Sequence, residues 1–191
     1  MLRMTPLAVG AIILAGGTAA RMGGVDKASI ELHGRTLLTY ALDAVIDAGE
    51  VVVLGDWVAT NRPVTFTRED PAQGGPAAGL LHGLDAFARA PRQVVVLAVD
   101  MPQVTMSTIS RLRAAAEGHD GAVLCDASGR RQLALVLEVA RLQAVRPAYG
   151  DEFGLPIHRL LADLDLAEVA AEGLESRDVD GWSDLRDLHG R

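Results

Sequence analysis

The sequence predicts a three-layer α/β sandwich built on a mostly parallel sheet. Three observations carry that expectation. Short apolar runs such as "AVGAIILA", "VVVLG" and the "VVVLAV" of "QVVVLAVD" recur along the chain, and a strand apolar on both faces is one covered by helices on both sides. Helix-like segments alternate with those runs, and a β-α-β alternation packs as helices over a parallel sheet. Glycine-rich stretches follow the strands, at the carboxyl edge where open parallel sheets hold ligands.

The elements follow in order. Arg3 and the run "LAVGAIILA" have the outline of a secretory leader, but Gly10 interrupts the run and it leads straight into glycines and charges, so residues 8–14 are read as a buried first strand. In "TLLTYALDAVIDAG" the residues Leu37, Leu38, Ala41, Leu42, Val45 and Ile46 share one helical face, with Thr36 as N-cap and Gly49 as C-terminal stop. "VVVLG" (51–55) and "VTFT" (64–67) are the next strands, and "QGGPAAG" opens a helix running through Ala90. "QVVVLAVD" (93–100) is a strand, "TMSTISRLRAAAEG" a helix, and "GAVLC" and "LALVLEV" (133–139) further strands. Towards the C-terminus, "GLPIHRLLADL" reads as a short helix, "RDVDG" as a short strand or turn and "WSDLRDL" as a helix. With no internal repeat or linker, residues 1–191 read as a single domain.

Bulk properties narrow the function. A net charge of −7 argues against a non-specific nucleic-acid or anionic-membrane binder, which needs a basic face. No segment approaches the ~18 apolar residues of a membrane span. Cys125 is the only cysteine, which excludes an intrachain disulfide and a thiolate metal cage and fits a reducing cytoplasm.

Chemistry concentrates in "IILAGGTAARMGGVDKAS". Glycines at a strand end bring backbone N–H groups against a ligand without Cβ interference, and a row of such groups makes an anion-binding concavity. Arg21 and Lys27 add two cations, so the segment reads as a polyphosphate cradle. It is neither a P-loop, since Val25 and Asp26 separate Lys27 from Gly24, nor the dinucleotide fingerprint G-x-G-x-x-G. The run "VVVLAVDMP" delivers Asp100 to the same edge, where Pro102 stops the strand. A carboxylate beside a phosphate loop suits Mg²⁺, which is held by one or two carboxylates plus substrate phosphates. In "REDPAQGGPAAGLLHGL", Asp70 precedes a glycine turn, Gly75-Pro76 opens the helix, and Gly79 and Gly83 permit close approach to the sheet or to a flat ligand.

These stretches resemble a known family. "LAGGTAARMGGVDKA" is similar to the N-terminal signature L-A-G/A-G-x-x-x-R-M-G-x-x-K of the molybdenum cofactor guanylyltransferases, within the molybdopterin nucleotidyltransferase family, and its double glycines and G-x-D-K ending look like the guanylyl branch. "EDPAQGGPAAG" resembles the family's acidic residue followed by G-P-L-A-G, "AVDMP" its D-T/M-P strand end, and "DVDGWSDL" its closing D-x-D-T-P-E-D-L. The resemblance implies a Rossmann-like, mixed-sheet nucleotidyltransferase fold and transfer of GMP from GTP to the phosphate of molybdopterin, with release of pyrophosphate. It implies that Leu14, Ala15, Gly16 and Gly17 line the nucleotide, that Lys27 and Arg21 bind the triphosphate, that Asp70 contacts the nucleotide, and that Asp100 holds Mg²⁺. A molybdoenzyme maturation protein is the partner such a labile product implies. The chain departs from the family at Leu54, where an Asn is common, at Gly181-Trp182 in place of Thr-Pro, and in "RRQLALVL".

Nucleotidyl transfer fits these residue types. Its barrier is electrostatic, so positioning and charge neutralisation dominate. A phosphate-monoester acceptor, with a second pKa of about 6, needs no strong general base. That agrees with five histidines (33, 82, 119, 158 and 189) that lack metal-ligand spacing. Asp178 and Asp180 read as a second metal contact or as a turn, Arg130 and Arg131 as an acceptor-phosphate contact or hairpin charge, and Trp57 and Trp182 as core or rim. Three alternatives stay open: cytidylyl transfer to molybdopterin, nucleotidyl transfer to a sugar phosphate, and a non-catalytic nucleotide-binding protein.

Overall fold

The first apolar run is strand β1 (Leu7–Leu14) in a computed structural model that describes residues 7–16, 18–19, 25–68 and 74–189. Two small hairpins follow, β2 (Thr18–Ala19) with β3 (Val25–Asp26) and β4 (Glu31–Leu32) with β5 (Arg35–Thr36). The main alternation is α1 (Leu37–Ala44), β6 (Val51–Leu54), β7 (Thr65–Thr67), α2 (Gly75–Asp85), β8 (Pro91–Ala98), α3 (Met106–Ala115) and β9 (Gly121–Cys125). It closes with β10 (Arg131–Glu138), α4 (Val139–Ala144), α5 (Ile157–Leu160), β11 (Leu166–Ala170) and α6 (Trp182–His189).

Seven strands form one sheet in the order β11-β9-β10-β8-β1-β6-β7. All pair in parallel except β10, which is antiparallel to both its neighbours. Its reversal comes from a tight turn after β9. There the Asp126 carboxylate accepts N–H bonds from Ser128 and Arg130, and Gly129 takes φ +82°, a left-handed conformation that suits glycine. Alternation along each strand divides the core between the two faces. Ala11 and Ile13 of β1 join the layer of α1, α3 and α6, whereas Ile12 joins that of α2, α4 and α5. The predicted mixed α/β sandwich is therefore the observed fold. Among the described residues no helix is long and apolar enough to cross a membrane.

Several boundaries differ from the sequence expectation. Thr36 caps α1 by accepting the Thr39 N–H, as predicted, but the helix ends at Ala44, and Ile46 is left 54% exposed rather than on the buried face. Gly49 is not the helix stop. Its N–H donates to the Val9 carbonyl, and a Cβ there would stand 2.9 Å from Leu7 Cδ2, so a larger residue would have to push the end of the Leu7 side chain aside. Helix α2 stops at Asp85, short of Ala90. Strand β8 stops at Ala98, so Asp100 sits in the turn beyond it. Val139 begins α4 instead of ending a strand, and the C-terminal helix expected across "GLPIHRLLADL" is only Ile157–Leu160. Strand β11 was not expected at all.

Candidate active site

The carboxyl ends of β8, β1 and β6 lie side by side, registered at Ala98, Leu14 and Leu54. The backbone leaving β1 is tied on both flanks. Ala15 N–H donates to the Leu54 carbonyl at 2.9 Å, and Val99 N–H donates to the Leu14 carbonyl at 3.0 Å. Ala15 is buried and Gly16 exposed. Across the gap a Cβ on Gly55 would come 3.1 Å from the Ala15 Cβ, so the loops after β1 and β6 touch. Both are small at their contact, leaving open backbone at the sheet edge.

Lys27 reaches this edge from a 3₁₀ turn, Lys27–Ser29. The Asp26 side chain starts the turn by accepting the Ala28 N–H, and fully buried Ala28 fixes it to the core. From there Lys27 Nζ donates to Asp100 Oδ2 at 2.7 Å and to Asp180 Oδ1 at 2.9 Å. Burial pulls the ammonium pKa down, but the two carboxylates outweigh it and hold Lys27 above its ordinary value. Burial also pushes the Asp26 carboxyl up, and nearby Asp56 adds to the shift. Asp178 is raised first by burial and then by the charge of Asp180.

Asp180 arrives on a segment without regular structure that is pinned along its length. Ala171 N–H donates to the Cys125 carbonyl, and fully buried Val179 donates its N–H to the Asp100 carbonyl at 2.8 Å. Asp184 in the first turn of α6 accepts the N–H groups of Asp180 and Gly181. Between these points Glu175 accepts from Thr108 Oγ1 at 2.6 Å, from the Glu172 N–H at 2.8 Å and from the Arg111 guanidinium on α3.

The sequence candidates thus divide. Lys27 and Asp100 meet directly, with Leu14, Ala15 and Gly16 on the adjoining strand end. Gly17, Arg21 and Asp70 lie outside the described residues. Asp180, which the sequence left between metal contact and turn, shares the Lys27 ammonium across 153 positions of sequence, a separation no local pattern reveals. Arg131 pairs with Glu168 at the edge of β11, and the Arg130 backbone N–H closes the Asp126 turn, so this pair is built into the β9–β10 hairpin. Trp57 and Trp182 are both exposed, at 74% and 52%.

Two carboxylate oxygens converging on one cationic atom also fit a divalent ion. They are hard oxygen donors of the kind Mg²⁺ uses, and the ammonium between them marks a place where positive charge is stabilised. Among the described residues no group of three or more His, Cys, Asp or Glu converges, so an ion here would complete its shell with water and substrate oxygens.

The mixed sheet with its open loop at the carboxyl edge is a nucleotidyltransferase fold. The crystal structure of Rv0371c from Mycobacterium tuberculosis H37Rv superposes with a TM-score of 0.74 at 21% identity, over 98% of this chain and 100% of that one. Molybdopterin-guanine dinucleotide biosynthesis protein A from Archaeoglobus fulgidus gives 0.72 at 17% identity, over 95% and 97%. The chain itself belongs to the family defined by the MobA-like NTP transferase domain, which it matches over residues 11–169. A curated relative from Bradyrhizobium sp. (strain ORS 278), the molybdenum cofactor guanylyltransferase, is 34% identical over 68% of this chain and 65% of its own length. The chain spans just under two thirds of the length of the curated relatives that head the comparison. Lys27 and Asp100 fall inside the matched family span and Asp180 beyond it.

Proposed function

We propose that this chain transfers GMP from GTP to the phosphate of molybdopterin, releasing pyrophosphate and forming the guanine dinucleotide cofactor. Supporting this reading are its family membership and the name molybdenum cofactor guanylyltransferase carried by its curated relatives. The observation that carries it is the placement of Lys27 between Asp100 and Asp180 beside the open Ala15–Gly16 loop.

On this reading the loop of Leu14, Ala15, Gly16 and Gly17 presents backbone N–H groups to the nucleotide, and Asp70 contacts it as well. Lys27, kept protonated by its carboxylate partners, exchanges them for the β- and γ-phosphates when GTP enters. Arg21 joins it, so charge growing on departing pyrophosphate meets two cations. Asp100 and Asp180, released from Lys27, would hold Mg²⁺, which when bound neutralises phosphate charge and polarises the α-phosphate. The acceptor phosphate is already ionised near neutral pH and attacks without a general base. The reaction is assigned to the cytoplasm, in keeping with Cys125 as a free, buried thiol, and its labile product to a molybdoenzyme maturation partner.

Pyrophosphate release with Mg²⁺ and molybdopterin tests the reading, with GTP and CTP compared side by side. Release selective for GTP is the expected result. Preference for CTP would overturn the guanylyl assignment, and no release with either would overturn the reaction.

A further inference from the structure

We infer that Trp57 is the stacking platform for the nucleobase and a source of preference for purine over pyrimidine nucleotides. This inference rests on the proposed nucleotide site and names a residue that site had not included. The loops after β8, β1 and β6 stand in a row at one edge of the sheet. The charged end of the row is at β8, where Asp100 meets Lys27. The middle, Ala15–Gly16, has no large side chain. Beyond β8 the same edge carries the Asp126 turn, which joins the carboxyl end of β9 to the start of β10, and the segment that brings Asp180 to Lys27. A nucleoside triphosphate with its phosphates at Lys27 therefore extends its base across the small loop towards β6.

Two features meet it there. Leu54, the last residue of β6, is buried with its side chain turned into α2, since a Cβ on Gly83 would stand 2.8 Å from Leu54 Cδ2, so this position offers the base no polar side chain. Three residues on, Trp57 is 74% exposed. The loop bearing it is not adrift. Gly55 N–H donates to the Thr67 carbonyl at 3.0 Å, Asp56 pairs with Arg68 at 2.7 Å, and the next residue, Val58, packs against the core. A fixed loop with a solvated indole beside an open nucleotide edge suits aromatic–base stacking. That interaction tolerates any base and grows with its area, so a purine gains more than a pyrimidine.

Only two tryptophans are present, which makes the test direct. GTP and CTP binding is first measured by calorimetry on the unchanged chain with Mg²⁺. Emission is then followed in a Trp182→Phe background, where Trp57 is the sole indole. GTP is expected to quench that emission. Trp57→Ala is expected to weaken GTP binding about ten-fold and to narrow the GTP-to-CTP affinity ratio, with Trp57→Phe recovering part of both. Circular dichroism of the variants controls for folding, which an exposed position tolerates. GTP binding with unchanged Trp57 emission and undiminished affinity in Trp57→Ala would overturn this inference while leaving the nucleotide site standing. Failure of the unchanged chain to bind any nucleotide would overturn the site reading, and this inference with it.

Discussion

Lys27 is where most of the site's electrostatics meet. One ammonium sits on two carboxylates, Asp100 at 2.7 Å and Asp180 at 2.9 Å, so removing any one of the three changes the charge felt by the others. Asp100→Ala is expected to lower transfer by about a hundred-fold or more while leaving the melting temperature near that of the parent. Unchanged turnover would remove Asp100 from metal binding. Lys27→Ala leaves two carboxylates facing each other without their cation. It is expected to weaken GTP binding and turnover together by roughly ten- to a hundred-fold, read as a rise in KM with a fall in kcat. A parental GTP response in that variant would sink the polyphosphate cradle. Asp180→Asn keeps a hydrogen-bond acceptor but loses the charge. Its predicted signature is a higher Mg²⁺ requirement rather than a higher KM for GTP.

At the scale of elements, the segment from Ala171 to Gly181 decides whether Asp180 reaches the site, and Glu175 is its central tie. The Glu175 side chain is 12% exposed and bonded to Thr108, Arg111 and the Glu172 backbone. Glu175→Ala is expected to cost about 2 kcal/mol of stability in denaturant unfolding. It should also raise the Mg²⁺ requirement, because Asp180 hangs on the same segment. Gly83→Val tests a different contact. Even a Cβ at Gly83 would stand 2.9 Å from Ile12 Cγ2, so the larger side chain should destabilise by about 1–3 kcal/mol through overpacking between α2 and β1. Elements of this kind were unevenly legible in the sequence. β1, β6 and β8 announced themselves because a strand buried on both faces is apolar throughout. β11 did not, because at the sheet edge only Leu166 of "LAEVA" is buried, while Glu168 and Ala170 face solvent. Gly49 was read as a helix stop, but its N–H bonds the Val9 carbonyl of β1, a partner 40 positions away that helix-capping rules do not include.

For the whole molecule, stability should depend on pH through Glu175. Burial opposes its ionisation, but Arg111, the Glu172 N–H and Thr108 together hold its carboxyl below the ordinary glutamate range. A carboxyl depressed in the folded state stabilises above its unfolded pKa, about 4.3, and loses that contribution as the pH falls through the folded value. Thermal stability should therefore fall on acidification below about pH 4, and less steeply in Glu175→Gln. The site was legible at the same scale only in part. Sequence order alone put Lys27 and Asp100 at one sheet edge, since parallel strands share their carboxyl ends. It left Asp180 undecided, because its approach depends on a non-regular segment held by tertiary hydrogen bonds. The most direct test of the account follows the α-phosphate. With molybdopterin, Mg²⁺ and GTP labelled at the α-position, the label is predicted to appear in a guanine dinucleotide product while label from the γ-position leaves as pyrophosphate. Label retained in GTP, or released as free GMP with the pterin unchanged, would contradict it.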